Sequence, residues 1–176
     1  MKTLIDQIAN YAGYHRDPRN IATHFIGIPM IVLAVTALLS RPAFEVAGLT
    51  FSPAVLAALA ASLYYLRLEL RLGAAMAVLM GLSVLAGQWL AAQSTGLWAG
   101  TGIAVFVVGW VLQFIGHYYE GKKPAFVDDV MGLIIGPLFV VAELAFALGL
   151  RRDLQHAVES RVGPVRLRAL GAHTGN

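Results

Sequence analysis

The sequence predicts an all-α protein, a polytopic membrane bundle of about four to five transmembrane helices with a short amphipathic helix at its N-terminus. Composition is the first observation behind this: of 176 residues, 58% are hydrophobic and 13% charged, and the mean hydropathy is +0.69. That is too apolar for an ordinary soluble domain of this size. The second observation is that the apolar residues gather into about five runs long enough to span a bilayer, at residues 21–39, 52–66, 74–92, 97–116 and 130–150. In hydrocarbon no water serves the backbone, so such runs must satisfy their own N–H and C=O groups as helices. The connections are short, which makes residues 1–150 a single integral-membrane domain and leaves 151–176 as a basic C-terminal tail.

Taken in order, Leu4, Ile5, Ile8 and then Tyr11 or Ala12 recur at helical spacing. They fit a helix lying along the bilayer surface, or equally a packing helix. Residues 1–14 have no compact apolar centre, so this start does not read as a cleaved signal peptide. Asp17 followed by Pro18 predicts a helix start, with the aspartate as cap and proline in the first turn. Gly27 with Pro29 marks a weak point in the first run, and Gly136 with Pro137 a break in the last.

Sidedness follows from Lys and Arg, which collect in short cytoplasmic loops. Lys2, Arg16 and Arg19 precede the first run, Arg67 and Arg71 lie between the second and third, and Lys122 and Lys123 between the fourth and fifth; Arg41 is the exception. The N-terminus is therefore expected inside. Five full crossings would put Arg151, Arg152, Arg161, Arg166 and Arg168 outside, so the last run is expected to be re-entrant or tilted, with five true spans as the alternative. Glu69, bracketed by Arg67 and Arg71, neutralises them, while Glu143 inside the last run would pair with a tail arginine.

The same residues exclude several chemistries. With no cysteine there is no disulfide, thiolate metal site or cysteine nucleophile, so a metal here must use histidine nitrogen and oxygen ligands. Thirteen basic and ten acidic residues give a net charge of +3 without a concentrated basic patch, and nucleic acid is not expected as a partner.

Three histidines stand out once the sides are drawn. His15 and His24 flank the start of the first run and His117 lies near the end of the fourth, and alternate crossings return both ends to one face. At 1.5 Å per residue, His24 is roughly 10 Å and His117 roughly 6 Å into its helix. Gln113, His117 and Glu120 share a helix face, placing an amide and a carboxylate beside an imidazole. Such a group can hold a metal. The competing reading is that histidine and tyrosine simply suit the headgroup level. His156 and His173 lie in the tail and are poor ligand candidates. A different class of function, a small transporter or scaffold with a histidine and glutamate ion path, would need polar groups spread through the depth, whereas only Gln88, Gln113 and Glu143 lie deeper.

The order YHRDPRNIATH, QFIGH, a glutamate, KKPAF, Asp128–Asp129 and GPLFVVAE resembles the Mpo1-like family, membrane dioxygenases of 2-hydroxy fatty acids, over about residues 11–150. The resemblance implies ferrous iron, held by histidines, that splits a long-chain 2-hydroxy fatty acid with O2 into CO2 and the acid one carbon shorter. It also implies an integral membrane protein with its site on the cytoplasmic face, in a bacterial inner membrane or, in a eukaryote, the endoplasmic reticulum. Carried over by motif, His15, His24 and His117 are the implied catalytic and metal-ligating residues, with Glu120 a fourth candidate ligand. Glu120 follows the histidine by three positions where the family pattern has four, and Asp128–Asp129 stands for the family's Asp-Asn. Tyr14, Arg19, Tyr118 and Lys122 are the expected contacts to the substrate's anionic head, with Arg16, Lys123 and Tyr119 nearby.

Overall fold

Apolar runs and caps fold where the pattern places them. The computed structural model describes residues 2–168, and among them are seven α-helices: α1 (Leu4–Ala12), α2 (Pro18–Leu39), α3 (Pro53–Leu68), α4 (Leu70–Ala91), α5 (Thr95–Glu120), α6 (Met131–Ala147) and α7 (Arg152–Val162). The all-α class is therefore as expected, with one departure. The first connection, expected only to be short, folds as an antiparallel hairpin of β1 (Phe44–Val46) and β2 (Leu49–Phe51). Its two-residue turn, Ala47–Gly48, has φ of 52° and 76°, which suits the twist of such hairpins. Helices α2, α4 and α5 are long and apolar enough to cross a membrane; α6 and α7 qualify together but are bent by 113°. The expected four to five spans are met at the lower end, because α3 is apolar but only 16 residues long.

The chain forms two compact units, whose boundaries fall within α2 and α5: Pro29–Trp110 is one, and Met1–Ile28 with Val111–Asn176 the other. In the first of these, α3 and α4 form a tight antiparallel pair. Their short connection is held by Glu69, whose carboxylate accepts from the Leu72 N–H at 2.8 Å and so caps α4. Leu56, Leu59 and Leu63 on α3 and Leu82, Leu85 and Trp89 on α4 stay exposed, an apolar outer face of the kind lipid covers. Arg41, the one basic residue on the expected outer side, has a local use. Its guanidinium donates to the carbonyls of Ala91 at 2.6 Å and Gln93 at 2.6 Å, closing the C-terminus of α4, and stacks on Trp98.

The other unit contains both ends of the chain. A capping box opens α1: Thr3 Oγ1 accepts from the Asp6 N–H, and Asp6 accepts from the Thr3 N–H at 2.7 Å. Its apolar face, Leu4, Ile8, Ala9, Tyr11 and Ala12, is buried, and the helix packs on α6 and α7. Of the two roles open to α1, packing is the one observed. No break occurs at Gly136–Pro137: α6 continues through Pro137, with Ile135, Leu138, Phe139 and Ala142 buried around it and offsetting the lost N–H. The chain turns instead after Ala147, and α7 brings Leu154 and Val158 into the core beside α1, with Arg161 paired to Asp6 at 2.7 Å. The tail arginine expected for Glu143 is replaced by Arg16, at 3.0 Å.

Arg41→Ala is expected to remove the charged cap of α4 and lower stability by about 1.5–3 kcal/mol, read as a fall in the thermal midpoint in detergent. Hydrogen bonds from Arg161 and from Thr3 hold the Asp6 carboxyl well below its ordinary value of 3.8. Its contribution is therefore complete above pH 3.8 and lost as the medium is acidified below that value. Limited proteolysis between α6 and α7 should accelerate over that range in the wild type, and Asp6→Asn should show the faster cleavage already at neutral pH.

Candidate metal centre

Three short pieces of chain build the centre, all within the unit that contains both chain ends. His15 sits in the turn between α1 and α2, His24 on the second turn of α2, and His117 on the last turn of α5. Asp17 ends the turn as expected, its carboxylate accepting from the Arg19 N–H at 2.9 Å while Pro18 opens α2. Gly121, at φ +67°, closes α5, its N–H donating to the His117 carbonyl, and a glycine after a helical run followed by two lysines is the usual signal of such a stop. The helices can meet here because of Gly116: a Cβ on it would lie 2.2 Å from Thr23 Oγ1 and 2.4 Å from Asn20 Oδ1. The predicted meeting of three histidines is what the fold produces.

All three rings are buried, His15 completely, and one ligand nitrogen from each lies within 4.8 Å of the other two. Backbone carbonyls settle the tautomers. Nδ1 of His15 is 2.7 Å from the Tyr11 carbonyl and Nδ1 of His24 is 2.9 Å from that of Asn20. A carbonyl only accepts, so each Nδ1 carries the proton and each Nε2 a lone pair. Those two Nε2 atoms face each other at 3.0 Å. Two lone pairs at that distance repel unless a cation lies between them, and metal–nitrogen bonds of about 2.1 Å at right angles place two nitrogens about 3.0 Å apart. His117 adds a buried Nδ1 with no hydrogen-bond partner. Two facing lone pairs, each on a ring oriented by a carbonyl behind it, with a third buried imidazole that carries an unpartnered nitrogen, suit the inner ligands of a metal. Burial above all, and then the neighbouring imidazoles, pushes the His15 pKa well below its ordinary value, so its neutral ligating form dominates at neutral pH.

The walls are aromatic. Tyr11 stacks on His15 at 4.1 Å, and Phe139 lies 5.4 Å from the same ring. Glu120 is fully buried and turned to another task. Its Oε2 accepts from the Arg16 N–H at 2.9 Å, the Asp17 N–H at 2.8 Å and the Asn20 amide at 3.2 Å, and its Oε1 pairs with Arg168 at 2.9 Å. It stands outside the group of three nitrogens and fixes the turn that carries His15. Asp17, bound by Arg19 and the Arg168 N–H, has its pKa lowered to about 2.

The expected substrate contacts are mostly committed elsewhere. Tyr14 donates to Asp128 at 2.8 Å, Arg19 pairs with Asp17 and lies over Tyr119, and Lys122 donates to the Gly13 carbonyl at 2.9 Å. Tyr118 is exposed. Asp128 binds Lys123 and Tyr14, and Asp129 binds Lys2, so both tie down the segment before α6. His156 is exposed on α7, and His173 lies outside the described residues. Sequence reasoning passed over Asn20, whose carbonyl orients His24 and whose amide reaches Glu120; its place four residues before His24 was the available signal. Tyr11 stands in the same relation to His15.

Two comparisons bear on this centre. The sequence model of a family described as 2-hydroxy-palmitic acid dioxygenase Mpo1-like matches residues 1–148. The chain is also similar to 2-hydroxy-palmitic acid dioxygenase MPO1 of Saccharomyces cerevisiae, with 32% identity over 171 residues that cover 93% of this chain and 94% of the yeast protein. No solved structure matches.

Gly116→Ala is expected to force α2 and α5 apart at the histidines, at a cost of about 1–3 kcal/mol, seen as a lower thermal midpoint together with weaker metal binding.

Proposed function

The chain belongs to the Mpo1-like family, and from that premise we propose that it is an Fe(II)-dependent dioxygenase of fatty acid α-oxidation. Its substrates would be a long-chain 2-hydroxy fatty acid and O2, its products the acid one carbon shorter and CO2. The observation that carries this reading is the pair of facing Nε2 lone pairs at 3.0 Å with the buried His117 imidazole, a ligand nitrogen of which lies within 4.8 Å of both. His15, His24 and His117 would hold the iron. Three neutral imidazoles suit ferrous iron and leave positions free for small ligands. When bound, ferrous iron supplies the one-electron chemistry that lets O2 react with a closed-shell hydroxy acid.

The reaction balances without an external reductant. The bond between carbons 1 and 2 breaks, carbon 1 leaves as CO2, carbon 2 rises from alcohol to carboxyl level, and O2 takes the four electrons, with water as the remaining product. The protein's part is placement. The carbonyls of Tyr11 and Asn20 keep the imidazole lone pairs turned inward, and Tyr11 and Phe139 shield one side from water. Exposed Tyr118, next to His117, is the phenol free to meet an anionic head at the membrane surface. The lipid bilayer then supplies the substrate, whose acyl chain stays in hydrocarbon while its head reaches the centre. The Lys and Arg around the histidine-bearing ends support a cytoplasmic position for that surface.

The test uses purified protein in detergent, reconstituted anaerobically with Fe(II) and then given O2 and 2-hydroxypalmitate. Pentadecanoate and CO2 are the expected products, and absence of both across chain lengths rules the activity out. His24→Ala and His117→Ala are each expected to lose bound iron and at least about a hundredfold in turnover, since even residues behind a metal ligand carry effects of 10–100-fold.

A further inference from the structure

Of the three histidines, His15 alone is not on a helix, so something else must hold its turn. Local hydrogen bonds do part of this: the His15 N–H donates to the Ala12 carbonyl at 2.9 Å. The residues that follow are gripped from far along the chain. Arg16 donates to the Gly163 carbonyl at 3.2 Å, and its own carbonyl accepts from the Arg166 N–H at 2.9 Å. Asp17 accepts from the Arg168 N–H at 2.8 Å, and Arg19 donates to the Arg168 carbonyl at 2.8 Å. Residues 163–168 thus run beside residues 16–19, joined by contacts in both directions. The Arg168 side chain completes the arrangement by pairing with Glu120 Oε1 at 2.9 Å, and Glu120 is the residue that binds the Arg16 and Asp17 N–H groups from α5.

We propose that residues 163–168 clamp the His15 turn against α5, and that Arg168 is the positioning residue of this clamp, holding His15 in register with His24 and His117. The proposal rests on the metal reading above, but adds a segment that lies beyond the residues 1–148 matched by the family. Its physical basis is that Glu120 has no exposed surface. A buried carboxylate without a cation is strongly disfavoured, so losing Arg168 draws water or a rotation of the side chain to Oε1. Any such movement releases the two N–H groups held by Oε2, and those belong to the residues directly after His15. Arg16 reports on the same device from the other side, since its buried guanidinium bridges the Gly163 carbonyl and Glu143 of α6. The clamp therefore acts on where His15 Nε2 sits rather than on whether the helices form.

The experiment compares full-length wild type with Arg168→Ala, Arg168→Lys and Arg161→Ala in detergent. Cobalt(II) affinity is followed by visible absorbance, and deuterium uptake over residues 14–19 is measured without metal. Arg168→Ala should weaken cobalt binding tenfold or more and speed exchange at Arg16 and Asp17 at least fivefold, with helical content unchanged. Arg168→Lys should fall between, because an ammonium keeps the charge but on a shorter, more strongly hydrated side chain. Arg161→Ala, which cuts only the surface pair to Asp6, should match wild type. Cobalt affinity of Arg168→Ala within twofold of wild type, or unchanged exchange over residues 14–19, overturns the proposal. A wild type that binds no cobalt overturns the metal reading and the clamp with it, whereas a wild type that binds while Arg168→Ala binds equally well removes the clamp alone. Should Arg168→Ala fail to fold, Arg168→Lys decides by the same two readouts, with twofold effects in both as the threshold.

Discussion

The buried carboxylate of Glu120 is the constraint around which the histidine-bearing unit is organised. A charge without solvent must find its partners in the protein, and a carboxylate offers about four acceptor sites. Glu120 draws on three separate places: Oε2 accepts from two backbone N–H groups of the His15 turn and from the Asn20 amide on α2, and Oε1 is ion-paired with Arg168 near the end of the described chain. Each of these contacts fixes one piece of chain against α5. His117 lies one turn before Glu120 on the same helix, so placing the carboxylate places the imidazole. Asp17 with Arg19, and Arg16 with Glu143, extend the network outward through two further ion pairs.

Much of this was legible because its causes are local or periodic. The apolar runs, the Asp17–Pro18 start, the Gly121 stop and the shared face of Gln113, His117 and Glu120 follow from hydropathy and helical spacing, and the structure has each of them. The convergence of His15, His24 and His117 was also readable, since alternate crossings return to one face. Those histidines, with the flanking motifs, supplied the family as well, which the match over residues 1–148 bears out.

What was not legible depends on long-range contact. Glu120 sits at ligand spacing from His117, and only the fold shows that its partners are N–H groups about a hundred positions earlier and an arginine well beyond it in the chain. Arg166 and Arg168 read only as part of a basic tail that bears on sidedness, because their acceptors, Arg16 and Asp17, lie far back in the sequence. The break expected at Gly136–Pro137 failed for a similar reason. Local propensity disfavours the position, but buried neighbours along α6 outweigh it.

The division into two units also bears on when the centre can form. The unit holding the histidines is assembled from the two ends of the chain, with residues 29–110 lying between them in sequence. A ribosome releases His15 and His24 early, yet His117, Glu120 and Arg168 emerge only after that whole intervening stretch has been made. Until then the Arg16 and Asp17 N–H groups lack their acceptors and the two imidazoles lack their third. The three imidazoles can therefore meet only late in synthesis, and a chain that stopped after α5 would have its spanning helices and all three histidines but not the Arg166 and Arg168 contacts to the His15 turn.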